Sequence, residues 1–152
     1  MPLPEPRINA YQRWLAETHG LRFAHYEELW QWSVTELDAF WRSIWDWFEV
    51  ESPTPFSAVL AERRMPGASW FPGAQVNYAR QVLRHGARAN AAGHPAIVWS
   101  DEASLARGEL HHLSWPELAR QVGTLAASLH RLGVRRGDRV VAVLPNRPET
   151  AV

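Results

Sequence analysis

The chain has 152 residues, 46% of them hydrophobic and 21% charged, which is ordinary globular composition and enough for one buried core. Its 16 basic residues match 16 acidic ones, so it lacks the basic excess of a nucleic-acid module, and no apolar run of about 18 residues exists to span a membrane. Cysteine is absent, which excludes disulfides, thiolate metal sites and a cysteine nucleophile; lysine is absent too, which excludes a Schiff base and a phosphate-loop lysine.

The opening Met1-Pro-Leu-Pro-Glu-Pro-Arg7 has no basic cluster followed by an apolar stretch and does not read as a secretory leader. With no cysteine, this fits a cytoplasmic protein. Residues 8–18 form the first expected helix, with Gly20 as its left-handed terminator, and residues 25–32 the second. Ser33-Val-Thr-Glu36 has capping-box spacing and predicts a helix start. Behind it Leu37, Phe40, Trp41, Ile44, Trp45 and Phe48 recur at helical spacing as one apolar stripe. Its burial would contribute on the order of 10 kcal/mol before entropy is subtracted. Ser52-Pro-Thr-Pro55 ends regular structure, and Met65-Pro-Gly-Ala-Ser-Trp-Phe-Pro-Gly73 is expected as an ordered loop pinned by Trp70 and Phe71. Asn77 is placed to cap a helix over 78–85, closed by Gly86.

The texture changes near residue 90. Seven of the nine tryptophans (14, 30, 32, 41, 45, 47 and 70) precede that point, and the small, polar residues 88–94 read as a linker. Residues 95–100 then predict a strand, with 109–113 as its partner across a polar loop. Ser114-Trp-Pro-Glu117 has a second capping-box pattern, ahead of a helix whose buried face is Leu118, Val122, Leu125, Leu129 and Leu132. After Gly133 and the turn Arg136-Gly-Asp138, residues 139–144 read as a buried strand, so 109–144 would be a strand–helix–strand crossover with parallel strands. The fold class is therefore α/β: a Trp-rich helical segment over 1–90, then over 91–152 the incomplete start of a sheet domain that ends in the first turn of another helix.

The residues that invite chemistry read better as structure. An aromatic stripe at helical spacing is more often core than a ligand platform, and Trp41 and Trp45 are expected in the core. Trp70 and Phe71 are read as a packing plug between the N-terminal segment and the sheet rather than the wall of a ligand pocket. His111 and His112 are neighbours on a strand and face opposite ways, so they cannot easily share a metal. Glu27 with Glu28, Glu49 with Glu51, and Arg135 with Arg136 are read as solvated faces, and Asp138 as a turn residue bonding local backbone.

Several of these segments resemble the acetyl-CoA-synthetase-like acid–CoA ligases among the adenylate-forming enzymes. Trp70-Phe-Pro-Gly73 followed by Asn77-Tyr-Ala79 is similar to the signature at the start of those ligases. Trp32-Ser33, Phe40-Trp41 and the long Met65–Gly73 block look more like the acetoacetate branch than the acetate or propionate branches. Leu113-Ser-Trp-Pro-Glu-Leu118, Gly133-Val-Arg-Arg-Gly-Asp-Arg-Val140 and Leu144-Pro-Asn146 resemble the opening βαβ of the large adenylation domain. In all, the likeness covers residues 10–152.

The resemblance implies a two-step reaction: acid and ATP give an acyl-adenylate and pyrophosphate, and the thiol of CoA then displaces AMP. It implies acetoacetate, ATP, CoA and magnesium for the complete enzyme, the remainder of the adenylation domain as partner, and neither nucleic acid nor membrane. The family carries its chemistry on a Ser/Thr/Gly-rich loop ending in Pro-Lys-Gly, on later acidic and arginine motifs, and on a lysine of a small mobile domain. None occurs in these 152 residues. The resemblance transfers no catalytic, cofactor-binding or metal-binding residue, and the chain is expected to be a truncated N-terminal part, inactive alone. Two other readings stay open: a stand-alone or split-enzyme interaction module without catalysis, and a ligase for acetate or another short acid.

Overall fold

Three helices built around aromatic side chains open the chain. The computed structural model describes residues 5–152; the first four residues, on which part of the reading of the start rests, lie outside the described residues. Helix α1 spans Arg7–His19, α2 Tyr26–Thr35 and α3 Leu37–Trp47. Gly20 ends α1 in the left-handed conformation (φ 69°), as its position predicts. The expected start at Ser33 is not where a helix begins. Ser33 and Thr35 donate their hydroxyls back to the carbonyls of Trp30 (2.7 Å) and Gln31 (2.9 Å), so α2 continues through Thr35 and Glu36 becomes the junction to α3. The ring of Trp32, packed 5.4 Å from Phe23 and 5.6 Å from Phe40, rewards that longer helix, and tertiary packing overrides the local capping signal.

The core of this first unit is Tyr11, Leu15 and Leu29, with Trp14, Leu21, Phe23, Trp32, Ile44 and Trp47 packed against it. Helix α3 is covered on two sides. Trp47 and Ser43 face α1, where the Tyr11 hydroxyl and Ser43 Oγ lie 2.6 Å apart and both are buried. Trp41 and Trp45 face the following loop, where strands β1 (Leu60–Glu62) and β2 (Ser69–Trp70) pair antiparallel. The predicted stripe is thus divided: Trp41 and Trp45 face the loop, while Ile44 packs on the core and Phe40 on Trp32. The deepest α3 residue, Ser43, lies off it, and Trp41, expected in the core, is 39% exposed.

Val76 closes this unit and Asn77 opens the second. Helix α4 (Tyr78–Leu83) is capped as expected, with Asn77 Oδ1 accepting the backbone N–H of Arg80 at 2.9 Å. Gly86 does not terminate it. It starts helix α5 (Gly86–Ala91), so residues 88–91, read from the sequence as linker, are helical. The reason is steric: a Cβ on Gly86 would sit 2.9 Å from Trp115 Cε3, so glycine here permits close packing of α5 on Trp115 rather than a left-handed turn. Strands β3 (Ile97–Trp99) and β4 (His111–Leu113) pair antiparallel, Val98 opposite His112, as expected. Helix α6 (Glu102–Ala106) occupies what reads as a polar loop between them. Helix α7 (Trp115–Arg131) follows.

The expected strand over 139–144 does not form. A strand is defined by a ladder, and among the described residues none is offered to it: Val140, Val141 and Val143 are 60%, 84% and 94% exposed. The parallel pairing of the crossover is therefore absent, while its first strand and its helix are present. The apolar face of α7 is covered at Leu118 and open at Leu125 and Leu132. A short 3-10 turn, Pro148–Thr150, follows.

Candidate functional site

The loop that carries the sequence signature is held by its own backbone. Phe71 donates its N–H to the Val59 carbonyl at 2.8 Å, Ser57 to that of Pro72 at 2.9 Å, and the Thr54 hydroxyl to that of Gly73 at 2.6 Å. Phe71 sits at φ 45°, in the left-handed region, which presses its ring between Trp45 (4.7 Å) and Phe56 (5.1 Å). Trp70 meets Trp41 edge-on at 5.5 Å, and Phe56 in turn receives the guanidinium of Arg42 at 5.2 Å. These contacts place Trp70 and Phe71 in packing against α3, within the first unit rather than between the N-terminal segment and the sheet.

Other singled-out groups are engaged locally. Glu28 accepts the N–H of Ala24 at 2.7 Å, ahead of α2. Asp138 accepts the N–H of Arg135 at 2.7 Å and so closes its turn, while the Arg135 guanidinium donates to the carbonyls of His130 and Val134. His111 stacks on Trp99 at 4.5 Å, whereas His112 lines a shallow pocket with Asn90, Gly93, His94, Pro95 and Ser114. Strand alternation thus sends the two histidines to different surroundings.

Two caps matter for electrostatics. Asp101 and Ser104 form a complete capping box on α6, unrecognised in the sequence because serine rather than glutamate takes the third position. Hydrogen bonds from the Ser104 side chain and backbone hold the Asp101 carboxyl below its ordinary range. At α7 only half the expected box forms: Ser114 Oγ accepts the N–H of Glu117 at 3.3 Å, and the Glu117 carboxylate turns to Arg120 (2.6 and 2.8 Å) and Gln121 (2.8 Å). Those bonds hold Glu117 at about 2, down from 4.5. Because its folded value is depressed, its stabilising contribution is complete well above pH 4.5 and is lost as pH falls from there towards 2. Comparing chemical denaturation of the parent and Glu117→Gln from pH 7 to pH 2 should give a gap that is constant above about pH 5.5 and closes below it. A gap that persists unchanged to pH 2 would contradict this assignment.

Among the described residues no three histidine, aspartate or glutamate side chains come together as metal ligands, and no lysine exists to meet a phosphate or an attacked carboxylate.

The acetyl-coenzyme A synthetase N-terminus family model matches residues 26–82, and the AMP-binding enzyme model takes over at once, matching 83–152. Together the two matches run over residues 26–152, and the chain is similar there to the N-terminal part of AMP-binding enzymes of the acetyl-coenzyme A synthetase kind. Within that class its likeness is to acetoacetyl-CoA synthetases. The one from Streptomyces lividans, a solved structure, is 46% identical with a TM-score of 0.79, over 95% of this chain and 22% of that one. The acetoacetyl-coenzyme A synthetase of Rhizobium meliloti (strain 1021) is 35% identical over 140 residues, which is 90% of this chain and 20% of its own length. That of Danio rerio is 33% identical over 129 residues, or 84% of this chain and 18% of its own. The chain spans about a fifth of the length of the curated relatives it matches.

Proposed function

We propose that this chain is the scaffold portion of an acid–CoA ligase that converts acetoacetate, ATP and CoA to acetoacetyl-CoA, AMP and pyrophosphate through an acyl-adenylate. The 46% identity and shared fold with the Streptomyces lividans acetoacetyl-CoA synthetase carry the reading. The division of labour is physical. Acyl-adenylate chemistry needs donors around the phosphates, a magnesium ion and a positive charge at the attacked carboxylate. The residues here supply a packed base for that machinery and none of its groups. The remainder of the adenylation domain is the proposed partner. Leu132, Val141 and Val143, exposed at 82%, 84% and 94%, are the surface it would cover. A cytoplasmic setting is proposed with it, supported by the absence of cysteine.

The test is a chimera in which residues 1–152 replace the matching segment of the Streptomyces lividans enzyme. Acetoacetate-dependent AMP formation should persist within about tenfold of the parent, with acetate a poor substitute, while residues 1–152 alone give none. A folded chimera without activity, or one that prefers acetate, would sink the proposal, and turnover by residues 1–152 alone would end the scaffold reading.

A further inference from the structure

Residues 139–144 run exposed and without a ladder, yet the chain beyond them forms the Pro148–Thr150 turn. The 3-10 turn that follows is internally bonded: Thr150 Oγ1 donates to the Pro145 carbonyl at 2.6 Å, and the N–H groups of Arg147, Thr150 and Ala151 donate to the carbonyls of Pro145 (2.8 Å), Arg147 (3.0 Å) and Pro148 (3.0 Å). These bonds shape the turn but do not attach it to anything. The attachment is made elsewhere. The Arg147 guanidinium carbon lies 4.7 Å from the centroid of the Trp99 ring on β3, and Pro148 is buried. Trp99 in turn stacks on His111 of β4 at 4.5 Å and 30°, so the ring that receives the cation is itself fixed by the hairpin. Glu149 contributes only a 3.5 Å ion pair to Arg147, with both side chains well exposed.

We propose that Arg147 on Trp99 is a latch: it ties the 145–151 turn to the β3–β4 hairpin and so fixes the far end of the exposed 139–144 segment, whose near end is set by α7. An apolar stretch anchored at both ends keeps its exposed path without a ladder, whereas one anchored only at α7 would be free to collapse onto the open Leu125 and Leu132 face. This inference is independent of which acid the enzyme takes.

Amide hydrogen exchange at Thr150 and Ala151, read by NMR on the 152-residue chain, tests it. Arg147→Gln should speed exchange there by roughly two- to fivefold, the effect of losing a partly exposed cation–π contact, and leave the amides of α7 unchanged. Trp99→Leu should have the same local effect, and the double variant should be no faster than either single one. Unchanged exchange in Arg147→Gln, an equal effect from Glu149→Gln, additive effects in the double variant, or acceleration spread through α7 would each overturn the latch.

Discussion

Leu15→Ala should lower the stability of the first unit by about 2–5 kcal/mol, the largest loss expected from any single truncation in this chain. Leu15 is 0% exposed, and the side chains around it are large and stiff: Tyr11 and Leu29 as fellow core residues, and Trp14, Leu21, Phe23, Trp32, Ile44 and Trp47 packed on the cluster. Tryptophan rings cannot slide into a vacated leucine site without disturbing their own contacts. The rings of Trp14 and Trp47, 5.5 Å apart, and of Tyr11 and Trp47, 5.6 Å apart, hold one another in place. The cavity should therefore stay open and the loss should fall in the upper part of that range. Urea denaturation followed by tryptophan fluorescence reads it. Truncating Trp41, larger but 39% exposed, should cost less than Leu15 despite removing more atoms. If Leu15→Ala costs under about 1 kcal/mol, the three-helix core is not where the stability of this unit resides.

That core shows where sequence reading succeeds and where it stops. Helices α1, α4 and α7, the Gly20 terminator, the Asn77 cap and the β3–β4 pairing are legible because each is set largely by residues close in sequence. What was not legible depends on partners far along the chain. Ser33 and Glu36 have the spacing of a cap, but Phe23 and Phe40 on either side of Trp32 decide that α2 runs on. Gly86 looks like a stop until Trp115, 29 residues later, is packed against it. The buried Tyr11–Ser43 pair joins two helices 32 residues apart and carries no local signal. Residues 139–144 have a strand's composition, but composition supplies no ladder. The signature loop was legible as a loop pinned by Trp70 and Phe71, from the Pro/Gly frame around them, although the left-handed backbone of Phe71 was not.

The same loop offers the second large effect. Gly73→Ala should destabilise the first unit by about 1–3 kcal/mol, and the loss should exceed that of Gly20→Ala. Both glycines have left-handed backbones, at φ 93° and 69°, so both substitutions incur the strain of a side chain in that region, about 1–2 kcal/mol. They differ in what the new Cβ meets. At Gly20 nothing lies within 4 Å, whereas at Gly73 the carbonyl oxygen of Pro55 stands at 3.0 Å. That oxygen belongs to the backbone and cannot swing aside. Relief must come from moving the 54–57 segment, which is tied to the loop by the Thr54 hydroxyl on the Gly73 carbonyl and by Ser57 on that of Pro72. Phe56, between those ties, packs against Trp45 and Phe71, so the shift reaches the aromatic contacts of α3. Near-ultraviolet circular dichroism should record that disturbance for Gly73→Ala and not for Gly20→Ala, with denaturation midpoints ranking them the same way. Equal losses at the two positions would mean that strain at φ alone, not the approach of Pro55, makes glycine necessary in the loop.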